Sequence, residues 1–508
     1  MNKDSFSSSA QLFSWLSRFI NLECGQKPKS FRLDRMEALM ELCGHPERCA
    51  PSIHIAGSKG KGSVTGMLAA MLTAAGFRAA RYMSPHVIDI RERICLGDSY
   101  FSEEIYCACG DELREITEIL LPASANPLFD TTREDGCEPT YFELLTLFFF
   151  LCARRGNCDV MVVETGMGGR LDSTNVLDPL ASVITLIELE HTGFLGNTIE
   201  AVASEKAGII KRGRPLILAK QKEEAEKVFK KTAEEKNSPL FYFPEIAEIS
   251  NIKVAPHGTD FTLSFKTANR DAPSQGPSFP AQFFEPQMSL SIPIPGKVQA
   301  ENAALAIAAV KTAFPKISED AIRCGFENFY LPARFEKIAP YPQKGDYPQE
   351  GNYPQEGEYP QEGDYPQEGD YPPFIIDGAH TPESLELCIE TFCSLYGEGG
   401  VLVFGCAADK DADAMAKIAA SHFAKIFITT PGTFKASNPA QVYEAFAKCE
   451  AIANSTGDCS NRREKTVLVT DTRKAIEQAL DFAHAKNSPI LGTGSFYLVS
   501  EIRKIICR

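Results

Sequence analysis

No Cys-x-x-Cys occurs among the sixteen cysteines of this 508-residue chain. The closest pair, Cys107 and Cys109, falls in a stretch that reads as helix. That pattern offers neither a disulfide framework nor a cysteine-pair zinc motif, and the thiols read as small apolar fillers. Long apolar runs are lacking as well. The longest, Leu144 to Leu151, is far short of the ~18 residues a membrane helix needs, so no membrane partner is expected. The stretch from Met1 to Ile20 carries Asp4 and several serines before any apolar segment. It lacks the basic start and apolar centre of a signal peptide, and a cytoplasmic protein is expected. An excess of positive charge is also missing: the net charge is −15, which argues against nucleic acid as a partner.

What is present is the ordinary composition of a globular protein, 44% hydrophobic and 23% charged. The length gives room for two or three domains. Much of the negative charge has one source, because residues 341–373 carry eight acids and one lysine. They repeat Tyr-Pro-Gln-Glu-Gly with a six-residue period. A Pro and a Gly in every period, with few aliphatic residues, can neither propagate a helix nor fill a core, so a solvated, disordered insertion is expected. Elsewhere the balance is milder, and a local basic cleft could still hold an anionic substrate.

Before the repeat, a strand-like Ser52-Ile53-His54-Ile55 runs into a glycine-rich turn. A helix should follow, with Val64, Met67, Leu68, Met71 and Leu72 on one face and Gly76 as its stop. Further strands read at Val160–Val163 and Ala181–Ile187, and such alternation implies a parallel sheet covered on both faces. After the repeat the alternation restarts on a smaller scale. Strands read at Phe374–Ile376, Val401–Phe404, Ile426–Thr429, Thr466–Val469 and Pro489–Leu491. The expectation is an α/β chain: a P-loop-type ATPase domain over 1–331, then a smaller Rossmann-like α/β domain over 332–508 that contains the repeat. A site between two such domains would lie at the carboxyl ends of the strands.

Gly57-Ser58-Lys59-Gly60-Lys61-Gly62-Ser63 occupies the turn between that first strand and helix. Glycines let backbone N–H groups face phosphate oxygens, and a helix N-terminus adds positive potential. Lys61 can reach the terminal phosphates of a nucleotide, and Ser63 can touch a metal. The Walker spacing is not kept, since Gly62 separates Lys61 from Ser63. In isolation the string could be a surface turn; strand before and helix after make it a phosphate loop.

Here the chain resembles the folylpolyglutamate synthase/dihydrofolate synthase group of the Mur ligase superfamily. That group carries Ala-Gly-Thr-Asn-Gly-Lys-Gly-Ser where this sequence has Ala56-Gly57-Ser58-Lys59-Gly60-Lys61-Gly62-Ser63. The likeness extends from Leu33-Asp34-Arg35-Met36 to Gly494-Ser495-Phe496-Tyr497. It implies that Gly57, Gly60, Lys61, Gly62 and Ser63 hold ATP. It also implies two Mg²⁺ ions held by Ser63, by Ser84 in Ser84-Pro85-His86, and by Glu164, His191 and Lys206. Lys206 is carbamylated in the family, which turns a cation into the oxygen ligand a hard metal wants. On residues alone, Lys206 beside Glu205 is an ordinary solvated pair on a helix headed by Asn197 with Glu200 in a capping box. A lone His such as His191 is more often structural.

The resemblance further implies a pterin pocket at Thr140 and Phe142, in a string that otherwise reads as the start of an apolar helix. Asp172, in Arg170-Leu171-Asp172, matches members that act on dihydropteroate. Asn302 and Arg334 would lie against the nucleotide. In Asp377-Gly378-Ala379-His380, Asp377 would serve ATP and His380 the incoming glutamate, together with Ser495. Lys61, His191, Lys206 and His380 would be catalytic. The family pattern is broken at Glu190 (usually Asp), Ala333 (usually Gly), Thr381 (usually Asn) and Phe496 (usually Leu).

The implied activity is ATP-dependent addition of L-glutamate to a folate, and to dihydropteroate, through an acyl-phosphate. The partners would be small molecules only, and a monomer is expected. A cell-wall Mur ligase is a rival, but only 56 residues precede Gly57, too few for the nucleotide-sugar domain of those enzymes. A catalytically dead nucleotide-binding protein is the other rival, opposed by the presence of Glu164, His191 and Lys206.

Overall fold

The computed structural model describes residues 5–21, 31–120, 127–129, 138–266, 286–338, 372–432, 435–455 and 465–507. Apart from Pro372 and Pro373, the Tyr-Pro repeat lies outside the described residues. The chain forms two compact units, Met1–Leu331 and Pro332–Arg508.

The strands of the first unit are β1 (Ser52–Ala56), β2 (Ala79–Tyr82), β3 (Ile94–Leu96), β4 (Ser99–Tyr100), β5 (Val160–Glu164), β6 (Ala181–Ile184), β7 (Leu216–Leu218), β8 (Leu240–Tyr242), β9 (Ala247–Ala255), β10 (Gly258–Phe265) and β11 (Gln287–Ile292). Eight of them make one sheet, ordered β4-β3-β2-β5-β1-β6-β7-β8. From β2 to β8 every pairing is parallel, and β3 and β4 add an antiparallel edge. Strands buried on both faces read as continuous apolar runs, and all five residues of β1 and of β5 are buried.

Besides a cluster around Ile184, Val202 and Phe229, two larger apolar clusters cover this unit. One packs the helices Lys61–Ala74, Lys297–Ala313 and Glu319–Glu327 with residues of β1, β5 and β6. The other contains Ser9–Leu16, Asp34–Leu42 and Tyr141–Arg155. The helix Lys61–Ala74 departs from the one-sided pattern read in its sequence, since every residue from Gly62 to Leu72 is buried. The two later helices, far away in sequence, enclose its other side. Gly76 ends it as expected: at φ 89° it lets Phe77 N–H reach back to the Leu72 carbonyl at 3.0 Å.

Strand β6 stops at Ile184 rather than Ile187, because Leu186 turns aside and its carbonyl accepts from the N–H groups of Ser58 and Lys59. The antiparallel sheet β11-β10-β9 went unread in the sequence. Its edge strand β11 alternates exposed and buried residues, as a sheet with one wet face should.

The second unit carries β12 (Glu336–Ile338), β13 (Phe374–Ile376), β14 (Gly400–Phe404), β15 (Phe423–Ile428), β16 (Thr466–Leu468) and β17 (Ile490–Thr493). They form a six-stranded sheet, β12-β13-β17-β14-β15-β16, parallel except at β12–β13. Its core lies between the sheet and helices such as Pro382–Tyr396 and Ala412–Ala419.

Candidate active site

Four neighbouring strands deliver the candidate residues at their carboxyl ends. β2 leads to Ser84, β5 ends on Glu164, β1 runs into the glycine loop, and β6 leads to Glu190 and His191. Ile55 and Glu164 are register partners, so the loop and the carboxylate start side by side.

The loop is anchored at both ends. Gly57, at φ 153°, lies so close to Thr185 that a Cβ would come within 1.8 Å of its hydroxyl oxygen. Gly60, at φ 85°, caps the helix that begins at Lys61, and a Cβ there would meet Asn302 Oδ1 at 2.4 Å. Only glycine fits at either place. Asn302, on the distant helix Lys297–Ala313, is thereby brought onto the phosphate loop. Lys61 folds its Nζ back to donate to the Gly57 carbonyl at 2.9 Å. Ser63, on the first turn of that helix, is buried.

Lys206 ends the helix Ile199–Lys206 and is 1% exposed. The N-cap of that helix is Thr198 rather than Asn197: Thr198 is extended and its hydroxyl accepts from Ala201 N–H. Lys206 Nζ donates to the Gly57 carbonyl at 2.8 Å and to Glu190 Oε1 at 2.7 Å. Burial drives its pKa down to about 8 against the pull of Glu190, and Lys61 adds to the drop. Burial opposes ionisation of Glu190, yet Lys61, Lys206 and His191 outweigh it and take the carboxyl down to about 2. Glu190, noted in the sequence only as a departure, is thus the charged partner of Lys206. Its adjacency to His191 was the one signal available.

His191 opens the short helix Thr192–Leu195 in the left-handed region, φ 47° and ψ 39°. A β-carbon makes that conformation costly, and such strain concentrates at functional positions. Glu164 is buried, and its Oε2 accepts from the Ser84 N–H at 3.4 Å.

The three candidate pterin residues also converge. Thr140 caps the helix Tyr141–Arg155 in a reciprocal box with Glu143, whose carboxylate pairs with the buried Arg35 at 2.9 Å. Phe142 lies against Gly166, where a Cβ would come 2.3 Å from its ring. Asp172 Oδ2 accepts from the N–H of Met167, the residue after Gly166, at 2.8 Å. Burial raises the Asp172 carboxyl, countered by hydrogen bonds from Thr174 and Met167. Behind it sits a residue not singled out in the sequence as a site residue. His54 Nε2 lies 2.8 Å from Thr174 Oγ1, which donates to Asp172 at 2.5 Å. Thr174 has one hydroxyl proton, so His54 carries its proton on Nε2.

In the second unit Asp377 follows β13 and accepts from the N–H groups of Phe335 and Ala379, each at 2.8 Å. Burial raises its carboxyl, opposed by Arg334. The Arg334 guanidinium lies 4.4 Å over the Phe496 ring, and the His380 ring is 5.7 Å from the same ring. Phe496 also presses on Gly378, where a Cβ would come within 2.2 Å. So Phe496, in place of the usual Leu, joins Arg334 to His380. Ser495 caps the helix Phe496–Ile506 and is buried. Ala333 adopts φ 58°, the conformation that the usual Gly would take freely.

Residues 128–310 match the Mur ligase middle domain, and residues 367–496 match the Mur ligase glutamate ligase domain, which makes the chain an ATP-dependent ligase of the Mur type. Over 502 residues it is 32% identical to the dihydrofolate synthase/folylpolyglutamate synthase of Bacillus subtilis (strain 168), covering 97% of both chains. It is 28% identical to the folylpolyglutamate synthase of Lacticaseibacillus casei, over 93% of this chain and 94% of that one. A crystal structure of Mycobacterium tuberculosis folylpolyglutamate synthase complexed with ADP superposes with a TM-score of 0.78, at 26% identity and 99% coverage of each chain. The chain belongs to the dihydrofolate synthase/folylpolyglutamate synthase family.

Proposed function

We propose that the chain joins L-glutamate to reduced folates and to dihydropteroate, with ATP activating the acceptor carboxylate. The observation that carries this reading is the convergence of Lys61, Lys206 and Glu190 on the glycine loop, beside the Glu164 carboxylate. The presence of Asp172 against the Phe142 and Gly166 cluster supports the dihydropteroate half. The naming of the B. subtilis relative for both activities supports the pair.

The acceptor carboxylate oxygen attacks the γ-phosphorus of ATP and ADP leaves, giving an acyl-phosphate. The glutamate amine then attacks the acyl carbon; phosphate leaves with the bonding electrons, and the amine loses a proton as the amide forms. In this scheme the loop amides and Lys61 neutralise charge on the transferring group, an effect of positioning and electrostatics. Asn302 and Arg334 orient the nucleotide, and Asp377 holds the backbone that carries Arg334. His380 and Ser495 receive the glutamate. Thr140, Phe142 and Asp172 receive the pterin.

The donor set suits Mg²⁺ in part. Ser63, Ser84 and Glu164 offer hard oxygen ligands, and His191 a nitrogen, whereas Lys206 as an ammonium is no ligand at all. When bound, Mg²⁺ would neutralise charge on the phosphates. Carbamylation of Lys206 by CO₂ would complete a second ion's ligands. The neutral amine is the form that reacts, and a pKa of about 8 makes that form accessible near neutral pH.

The test is ATP hydrolysis and radiolabelled glutamate incorporation by purified protein, with dihydropteroate and tetrahydrofolate supplied separately. Incorporation with both is expected. Incorporation with one alone removes the other half, and ATP binding without any incorporation overturns the ligase reading.

A further inference from the structure

Outside this site, three side chains that carry ligand atoms meet at one edge of the second unit. Cys393 lies on the last turn of the helix Pro382–Tyr396, and that turn is closed by a bond from Gly397 N–H to the Cys393 carbonyl at 2.9 Å. Glu398 follows between Gly397 and Gly399, both at φ 84°, which bend the chain back over the helix end. His422 directly precedes β15, and its carbonyl accepts from Gly399 N–H at 2.8 Å, tying the two turns together.

The consequence is a compact cluster. His422 Nδ1 lies 3.0 and 3.1 Å from the two Glu398 oxygens and 3.9 Å from Cys393 Sγ. All three ligand atoms fall within 4.8 Å of one another, and no other such His/Cys/Asp/Glu group occurs among the described residues. Zinc bonds of about 2.3 Å to sulfur and about 2.0–2.2 Å to nitrogen or oxygen give tetrahedral edges of about 3.6 Å for S···N and about 3.4 Å for N···O. The S···N edge of 3.9 Å and the N···O edge of 3.0 Å each depart from these by a few tenths of an ångström. The His422 and Glu398 side chains are 37% and 64% exposed, so an ion can enter without unfolding.

We propose that Cys393, Glu398 and His422 form a binding site for a borderline-soft divalent cation, Zn²⁺ by preference, with water in the fourth position. One sulfur, one nitrogen and one carboxylate oxygen are the donors Zn²⁺ takes, and Mg²⁺, which prefers six oxygens, does not compete for them. The ion would pin the end of one helix to the start of β15. Burial and the Glu398 charge hold the Cys393 thiol protonated, with a pKa pushed up to about 11. The thiol proton leaves to the solvent as the S–Zn bond forms.

The experiment uses the full chain, stripped of metal by chelation and titrated with Zn²⁺ in excess Mg²⁺, then with Co²⁺ as a spectroscopic probe. One zinc per chain is expected, and the Co²⁺ form should show a thiolate-to-metal charge-transfer band in the near ultraviolet. Cys393→Ser and His422→Ala should each abolish that band and weaken Zn²⁺ binding by more than about tenfold, since even removal of an outer partner costs a zinc site that much. ATP hydrolysis should persist in both. Glu398→Gln, which keeps the side-chain shape, serves if a variant fails to fold. Zinc uptake equal in the native chain and all folded variants, or a cobalt band that survives Cys393→Ser, overturns the proposal.

Discussion

The Nζ atoms of Lys61 and Lys206 end on the same acceptor, the carbonyl oxygen of Gly57, at 2.9 and 2.8 Å. Two cations converge there from helices 145 positions apart, one from the phosphate loop and one from the end of Ile199–Lys206. Glu190 offsets their repulsion by facing both, pairing with Lys206 at 2.7 Å and lying within the field of Lys61.

Replacing Lys206 tests this arrangement directly. Lys206→Ala should lower kcat for glutamate incorporation by at least about a hundredfold, the usual loss when a charge-stabilising group goes. If a carbamate is the working form, added formate or acetate should restore part of the rate by filling the vacated space with a carboxylate. Native mass spectrometry of the unsubstituted chain should then show the added mass of one CO₂, lost in the variant. Absence of both signs would leave Lys206 acting as an ammonium.

The contact between Gly60 and Asn302 gives a second expectation. Gly60→Ala places a Cβ at 2.4 Å from Asn302 Oδ1 at a φ of 85°. The left-handed backbone alone costs an alanine about 1–2 kcal/mol. The KM for ATP should rise, as read from initial rates at varied ATP. A Gly60→Ala enzyme with unaltered ATP kinetics would show that this contact does not shape the nucleotide site.

Ala333 gives a prediction of opposite sign. It holds φ 58° and donates its N–H to Glu336. Relief of about 1–2 kcal/mol of left-handed strain outweighs the roughly 0.5–1 kcal/mol entropy cost of a glycine. Ala333→Gly should therefore raise stability by about 0.5 kcal/mol, read as a higher denaturant midpoint for the second unit's transition.

His54 supplies a pH dependence. Burial, with Lys211 adding to it, holds the imidazole pKa down at about 3. The unfolded chain's histidine titrates near 6.5. Above about pH 6.5 neither state binds the proton and nothing is lost. Below it the unfolded state takes a proton that the native state refuses, so stability falls as pH drops from about 6.5 towards 3, by about 1.4 kcal/mol per unit. Urea unfolding at pH 7.5 and 5.5 should show a larger acid loss for the native chain than for His54→Gln. Equal losses would mean that His54 is protonated inside the fold.

Much of the first site was legible because it is local. Gly57 to Ser63 lie between a strand and a helix, and Glu164 at the end of an apolar run marks a strand's carboxyl end. The second-unit strand Phe374–Ile376 was read to the residue. Where contacts were long-range, the reading stopped short. In the antiparallel β9–β11 sheet, β11 pairs with β10 across the segment 266–286, whereas β9 and β10 form a local hairpin, Ala255 opposite Gly258, that went unread. The Thr198 cap lost out to Asn197 because both are good cap residues, and only the extended backbone of Thr198 decides between them. No local spacing joins Cys393 to His422, which stand 29 residues apart.

The sequence by itself determined the chemistry on offer: a glycine loop that admits phosphate, hard ligands for a metal, and a buried-strand pattern that permits a parallel sheet. Those properties follow from residue types within a few positions of one another. Tertiary structure alone decided which distant groups share a charge. Burial of Lys206 against Gly57 and Glu190 lowers its pKa, Asn302 closes on Gly60, and Phe496 bridges Arg334 and His380. Desolvation and close packing arise only when remote segments exclude water together, and no spacing along a chain encodes that.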